Sequence, residues 1–312
     1  MFGFPHSVAV TPRGCIGRIA YCVGAIAADV KPSRGTLYAL GAITSVQLGA
    51  TVARHLFPFL GPSGTVSLRV AFGAAILLAI ARPRWPRFDA AQWRAIVFFG
   101  LIIAGMNLCF YQAIARIPLG VAVTIEFIGP LGVAIVSSRK ALDFAWAGMA
   151  AAGVGLLSFS GGSVTTLGLL FALGAAAGWA SYIVLGQRVG RLVPGPDGLA
   201  FALAVGGLAL LPFGIAGAGS RLFNVRNLAL GLVVAILSSA IPFSLEFAAL
   251  RRLSRQVFGI LMSLEPAVGA AAGFLFLGQR LSLRDLIAIG LVMVASAGAT
   301  RTAHPPAATD VP

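Results

Sequence analysis

Pro118-Leu-Gly-Val-Ala-Val-Thr-Ile-Glu-Phe-Ile-Gly-Pro130, continuing to Ser138, is the stretch whose reading decides the fold. It is about 20 apolar residues, enough for a helix to cross a bilayer, yet Glu126 stands near its middle. Pro130 has no N–H to give, so in a continuous helix it frees the carbonyl four residues back, that of Glu126. A carboxylate at the centre of a membrane helix costs roughly 3 kcal/mol on insertion scales. A charge retained at that cost points to a substrate or proton path rather than to packing.

The composition agrees with a membrane chain. Of 312 residues, 58% are hydrophobic and 10% charged, leaving too little polar surface for a water-soluble domain of this size. Mean hydropathy is +0.94. The fold class expected is therefore an all-α polytopic membrane protein. The net charge of +14 does not indicate nucleic acid, because the cations sit singly or in small clusters between apolar runs. Cys15, Cys22 and Cys109 have no metal or redox spacing, so no metal site, disulfide framework or cofactor is expected.

Ten transmembrane helices are expected, near residues 37–57, 63–82, 94–114, 118–138, 144–160, 166–187, 198–219, 228–249, 256–278 and 283–300. Residues 1–35 read as a cytosolic tail or as sequence upstream of the true start, with a cleaved signal peptide as the alternative. Residues 301–312 read as a disordered tail. With both termini cytoplasmic, the inner side collects about 16 Lys and Arg residues, among them Arg82, Arg139, Lys140, Arg188, Arg191, Arg251, Arg252 and Arg255. The outer side keeps Arg54, Arg116, Arg221, Arg226, Arg280 and Arg284, an asymmetry that orients the chain.

The halves 36–160 and 161–300 resemble each other at an offset of about 134–136 residues. The turn Gly61-Pro62-Ser63-Gly64 returns as Gly195-Pro196-Asp197-Gly198, while Arg116, Val121 and Pro130 return as Arg252, Val257 and Pro266. Five spans per half is an odd number, so the second copy must be inverted, the architecture of alternating-access transporters. The second half supplies Glu265 beside Pro266, and Pro242 with Glu246 one turn later. The acids are not equivalent: Glu126 aligns with Met262 and Glu265 with Gly129. Both halves are expected to break a helix at the shared proline. Gly174–Gly178 and Gly269–Gly273 are small-residue faces for close helix contact.

Candidate site residues are those polar groups that lipid would not tolerate unpaired. Glu126 is expected to exchange a proton or accept an ammonium group. Arg69 is either a clamp for a substrate carboxylate or an anchor reaching the outer surface. Glu246 is expected to face the inner loops, and Glu265 to bond neighbouring backbone. Asn107 and Tyr111 share one face, Trp179, Ser181 and Tyr182 lie inside another span with Gln187 at its end, and Gln47 is mid-span. Pro130, Pro266 and Pro242 are the candidate hinges.

With these residues in place, the chain resembles the EamA-type drug/metabolite transporter superfamily over about residues 36–300. The likeness is carried by Ser67–Gly73, Gly105–Tyr111, Pro118–Arg139, Gly178–Tyr182, Ala235–Glu246 and Phe258–Pro266. It implies a ten-helix, proton-antiporting exporter of amino acids or their analogues in the bacterial inner membrane. Its expected partners are a small zwitterionic substrate such as threonine or homoserine, protons and the lipid bilayer, with monomer and homodimer both left open. Gln279 departs from the pattern, standing where such chains commonly place a glutamate after Leu-Gly. The alternatives are export of a nucleoside, sugar derivative or drug-like cation, a membrane scaffold, and an intramembrane serine hydrolase built on Gly61-Pro-Ser63-Gly. The hydrolase needs a histidine base, and His55, His6 and His304 all lie away from a midplane position, so no enzyme is expected.

Overall fold

The computed structural model describes residues 34–83, 88–136, 141–158, 164–193, 196–253 and 255–302. Residues 1–33, 137–140 and 303–312, which carry both tails and part of the opening stretch, and Gly195 of the second turn lie outside them. Every regular element among the described residues is helical. The helices are α1 (Arg34–Ala81), α2 (Ala90–Ile114), α3 (Leu119–Glu126), α4 (Ile128–Val136), α5 (Ala141–Ser158) and α6 (Thr166–Leu192). They continue with α7 (Asp197–Ala218), α8 (Val225–Ala235), α9 (Ile241–Leu250), α10 (Arg255–Met262), α11 (Glu265–Leu277) and α12 (Leu283–Thr302). A 3-10 turn, Gly219–Phe223, precedes α8, and a π turn, Ile236–Ala240, joins α8 to α9.

Among the described residues, seven helical stretches are long and apolar enough to cross a membrane. Leu119–Val133 and Phe144–Leu157 are shorter apolar helices. The expected turn at Gly61-Pro62-Ser63-Gly64 is present within α1 as a kink between two helices, made by Gly61 alone, at φ 64° and ψ 170°. That conformation needs glycine, and Pro62 immediately after it sits in the first turn of the renewed helix, where a missing N–H costs nothing.

The helix breaks are displaced from the expected prolines. α3 ends and α4 begins around Phe127, three residues before Pro130. α10 and α11 part at Ser263–Leu264, and Pro266 is the second residue of α11. In both places the proline lies in the opening turn of the following helix, where an N–H has no intrahelical partner. The interruption comes one turn earlier.

Burial is inverted relative to a water-soluble domain. Phe98, Leu208, Phe213, Phe274, Leu275 and Leu283 are exposed, while Gln47, Ser67, Asn107, Ser238 and Glu265 are buried. An apolar exterior around polar interior groups is what a lipid solvent selects. Hydroxyls inside the helices back-bond to carbonyls one turn earlier, as in Thr51 to Gln47 (2.9 Å), Thr124 to Gly120 (2.6 Å) and Thr300 to Ser296 (2.8 Å). The two halves share one core, from Ala50 and Leu60 through Tyr111 and Ile125 to Leu210 and Val292.

Small residues let helices of opposite halves meet. A Cβ at Gly120 in α3 would fall 2.6 Å from the Ala270 Cα and 2.8 Å from its N in α11. A Cβ at Gly178 in α6 would fall 3.0 Å from the Met106 Cα in α2. Gly120→Ala is therefore expected to cost about 1–3 kcal/mol through overpacking backbone on backbone. Gly105→Ala, with no atom within 4 Å of the new carbon, should stay within about 0.5 kcal/mol of the parent. Thermal unfolding of both variants in detergent measures the difference.

Candidate functional site

A cavity of about 450 Å³ lies between the halves, walled by α1, α2, the α3–α4 break, α6, the π turn, α9, the α10–α11 break and α12. Its lining includes Gln47, Arg69, Asn107, Tyr111, Glu126, Trp179, Tyr182, Glu246 and Glu265, all of the polar and aromatic candidates put forward above except Ser181 and Gln187. Pro130 also lines it, whereas Pro242 and Pro266 are buried and do not. Ser181 bonds to the Ala177 carbonyl instead, and neither it nor Gln187 reaches the cavity.

Arg69 turns into the cavity rather than to the outer surface. Its guanidinium stands 5.5 Å from the Tyr111 ring centroid and 3.5 Å from the Ser238 carbonyl. Glu126 lies within its Coulombic range. The Tyr111 side chain is fully buried, and its hydroxyl faces Arg69 and Ser238 without closing a hydrogen bond.

The π turn explains why carbonyls are available here. The Ile241 N–H reaches five residues back to the Ile236 carbonyl. In that register the next donor would be Pro242, which has none, so the Leu237 carbonyl is left over. Ser45 Oγ on α1 donates to it at 2.7 Å. In the ordinary register Pro242 would have served Ser238, whose carbonyl faces Arg69. One proline and one wide turn thus present two carbonyls sideways, toward the other half. Sequence reasoning found Pro242 but not the π turn.

Glu246 lines the cavity from α9, so the expected loop-facing position is not what the structure shows. Glu265 is 7% exposed and bonds the Gln47 amide at 3.4 Å, a side chain of the other half rather than neighbouring backbone. Trp179 meets Phe127, the break residue, edge to face at 5.2 Å, and Tyr182 stacks on Phe99 at 5.1 Å. Asn107 donates to the Ile103 carbonyl at 2.8 Å. Residues not foreseen on the lining are Ser238, Met262, Ser296 and Thr300. Ser263 at the second break bonds Ser296 at 3.0 Å, tying α12 to it.

Glu246, Phe258, Ala299 and Thr300 extend the lining along α9, α10 and α12. Away from the cavity Leu60, Ile114, Ile117 and Leu119 are fully buried or nearly so. There Arg54 donates to the Ile114 and Ile117 carbonyls, and Gln279 Oε1 accepts from Leu119 N at 2.9 Å, serving an N–H that opens α3. A glutamine is sufficient for that contact. Ser63, the candidate hydrolase nucleophile, accepts from Gln112 Nε2 at 3.0 Å, and His55 Nδ1 lies 2.9 Å from the Thr51 carbonyl on its own helix.

The model of the EamA-like transporter family matches residues 33–159 and again residues 166–301. The chain belongs to that family. It is 44% identical over 266 residues to the threonine/homoserine exporter RhtA of Escherichia coli K12, covering 84% of this chain and 90% of that one. The protein of the same name from Salmonella typhimurium SL1344 is 43% identical over 269 residues, covering 85% and 91%. Protein PecM of Dickeya dadantii is 31% identical over 219 residues, covering 66% and 72%. A solved structure superposes with a TM-score of 0.55 at 21% identity, spanning 88% of this chain and 98% of the other, and so shares the fold.

Ser45→Ala tests the carbonyl account. It strands the partly buried Leu237 carbonyl without a donor, and should lower stability by about 1 kcal/mol, read as the unfolding midpoint in detergent.

Proposed function

We propose that this protein exports small amino acids such as threonine and homoserine across the bacterial inner membrane, by proton antiport and alternating access. The observation that carries the reading is the cavity lining, where Arg69 and the carboxyl groups of Glu126, Glu246 and Glu265 border one space large enough for a small amino acid. The extent of identity to proteins named as threonine/homoserine exporters supports the substrate class.

Three carboxyl groups stand against one guanidinium on that lining among the described residues. Fully ionised, they would leave excess negative charge between apolar walls, which the interior does not tolerate. A proton or a substrate ammonium relieves it, and a single carboxylate cannot hold both at once. Competition for that place makes proton entry and substrate release alternatives, which is the requirement for antiport. Glu126 is the group we assign to the exchange, and Arg69 meets the substrate carboxylate.

Ten crossings arranged as two inverted five-helix repeats complete the proposal. The breaks at Phe127 and Ser263–Leu264, about 136 residues apart, are consistent with such a repeat. The distribution of basic residues favours cytoplasmic termini, the orientation this reading takes. Halves that share a core through small-residue contacts suit rocking of one against the other.

Threonine efflux from loaded proteoliposomes under an imposed proton gradient tests the assignment. Glu126→Gln is expected to lower gradient-driven efflux at least about tenfold, and the residual flux should ignore an uncoupler. Wild-type efflux with intact uncoupler sensitivity in that variant would remove Glu126 from the exchange. Preferential competition by nucleosides, sugar derivatives or drug-like cations over threonine would redirect the substrate class.

A further inference from the structure

Inside the cavity two oxygen atoms lack a donor. Gln47 is 2% exposed and Glu265 7% exposed, and both line the cavity. Gln47 Nε2 donates to Glu265 Oε1 at 3.4 Å, which uses one oxygen of the carboxylate. Gln47 Oε1 and Glu265 Oε2 are buried with no hydrogen-bond partner among the described residues. Two orphan acceptors on neighbouring side chains, one from α1 and one from the first turn of α11, are costly in a low-dielectric interior. Arg69, the cation of the cavity lining, is engaged elsewhere, with Tyr111, Ser238 and Glu126.

We infer that the Gln47–Glu265 pair is the seat for the substrate's primary ammonium group, separate from Arg69, which takes the carboxylate. The inference rests on the amino-acid export reading above and refines it. A primary ammonium brings three donors and no acceptor, and two of those donors satisfy the two free oxygens. Its positive charge also offsets that of Glu265, which has Glu126 and Glu246 as its Coulombic neighbours. The amide fixes the geometry: Gln47 holds the carboxylate with its nitrogen and offers its own oxygen beside it. A Cβ at Gly269 would stand 3.1 Å from Gln47 Oε1, so the glycine at that turn of α11 leaves the amide its room. Glu126 is then free to carry the proton, and the two non-equivalent acids divide the work.

The seat predicts selectivity that a structural hydrogen bond would not confer. The purified protein in nanodiscs is titrated with threonine and with the matching 2-hydroxy acid, which keeps the carboxylate and loses the ammonium. Wild type should bind threonine at least about tenfold more tightly than the hydroxy acid. Gln47→Leu and Glu265→Gln should each weaken threonine about tenfold or more, leave hydroxy-acid affinity within about twofold, and so erase the preference. Two variants guard against one that fails to fold. A wild type without the preference, or folded variants that keep it, overturns the seat while export stands. Loss of affinity for both ligands in equal measure also overturns it, since that is what a merely structural contact would do. A wild type that binds neither ligand and exports no threonine overturns the seat together with the export reading.

Discussion

Backbone and carboxyl groups in hydrocarbon must find their partners inside the protein, and the irregular features of this molecule follow from that constraint. Where a helix is regular, its own ladder satisfies it. Where a proline, a wide turn or a break interrupts the ladder, a side chain distant in the chain fills the place. Ser45 serves Leu237, Arg69 faces Ser238, Gln279 serves Leu119, and Arg54 serves Ile114 and Ile117. Each pair joins segments far apart in sequence, so the same bonds that satisfy the backbone also fix those segments against one another.

These contacts fall into two groups with different consequences. Those of Arg54 and Gln279 lie outside the cavity, beside the buried Leu60, Ile117 and Leu119, where both side chains line a separate recess. Those of Ser45 and Arg69 lie at the cavity, where the carbonyls of the π turn meet open volume. A π turn widens a helix by one residue and leaves its carbonyls aimed outward, which suits a wall that must present polar atoms without ending the crossing. The breaks around Phe127 and Ser263–Leu264 do the same on two further walls.

Much of the site was legible because a polar side chain in a run of apolar residues is a strong signal. Glu126, Glu265, Arg69, Asn107 and Gln47 stood out for that reason, and all reach the cavity. Ser238, Ser296 and Thr300 did not stand out, because a hydroxyl in a helix can satisfy itself on the preceding turn and is common in membrane spans. Thr300 does that and still lines the cavity. The helix breaks were misplaced by one turn because a proline marks the start of the new helix as readily as the end of the old one. The turn at Gly61–Gly64 was legible from its Gly-Pro pair, and only its shortness was not: Gly61 breaks the helix alone, with one positive φ. Depth along a span is also poorly encoded. Glu246 was expected near the inner end of its span, yet it lines the cavity.

The distribution of charge between the halves carries the last step. At the repeat offset, Glu126 aligns with Met262, Glu265 with Gly129, and Arg69 with the apolar run Leu203–Val205. Two pseudo-symmetric halves with equivalent polar groups would build a site with equivalent ends, and such a site fits a symmetric ligand. A zwitterion has one positive and one negative end. Binding it in a single orientation requires that the symmetry of the backbone be broken by the side chains, and here it is broken at each charged position. The shared features, a helix break followed by a proline, are those of hinge and wall. The unshared ones are the groups that distinguish one end of a ligand from the other. On the export reading proposed above, repetition would serve movement, and departure from repetition would serve recognition.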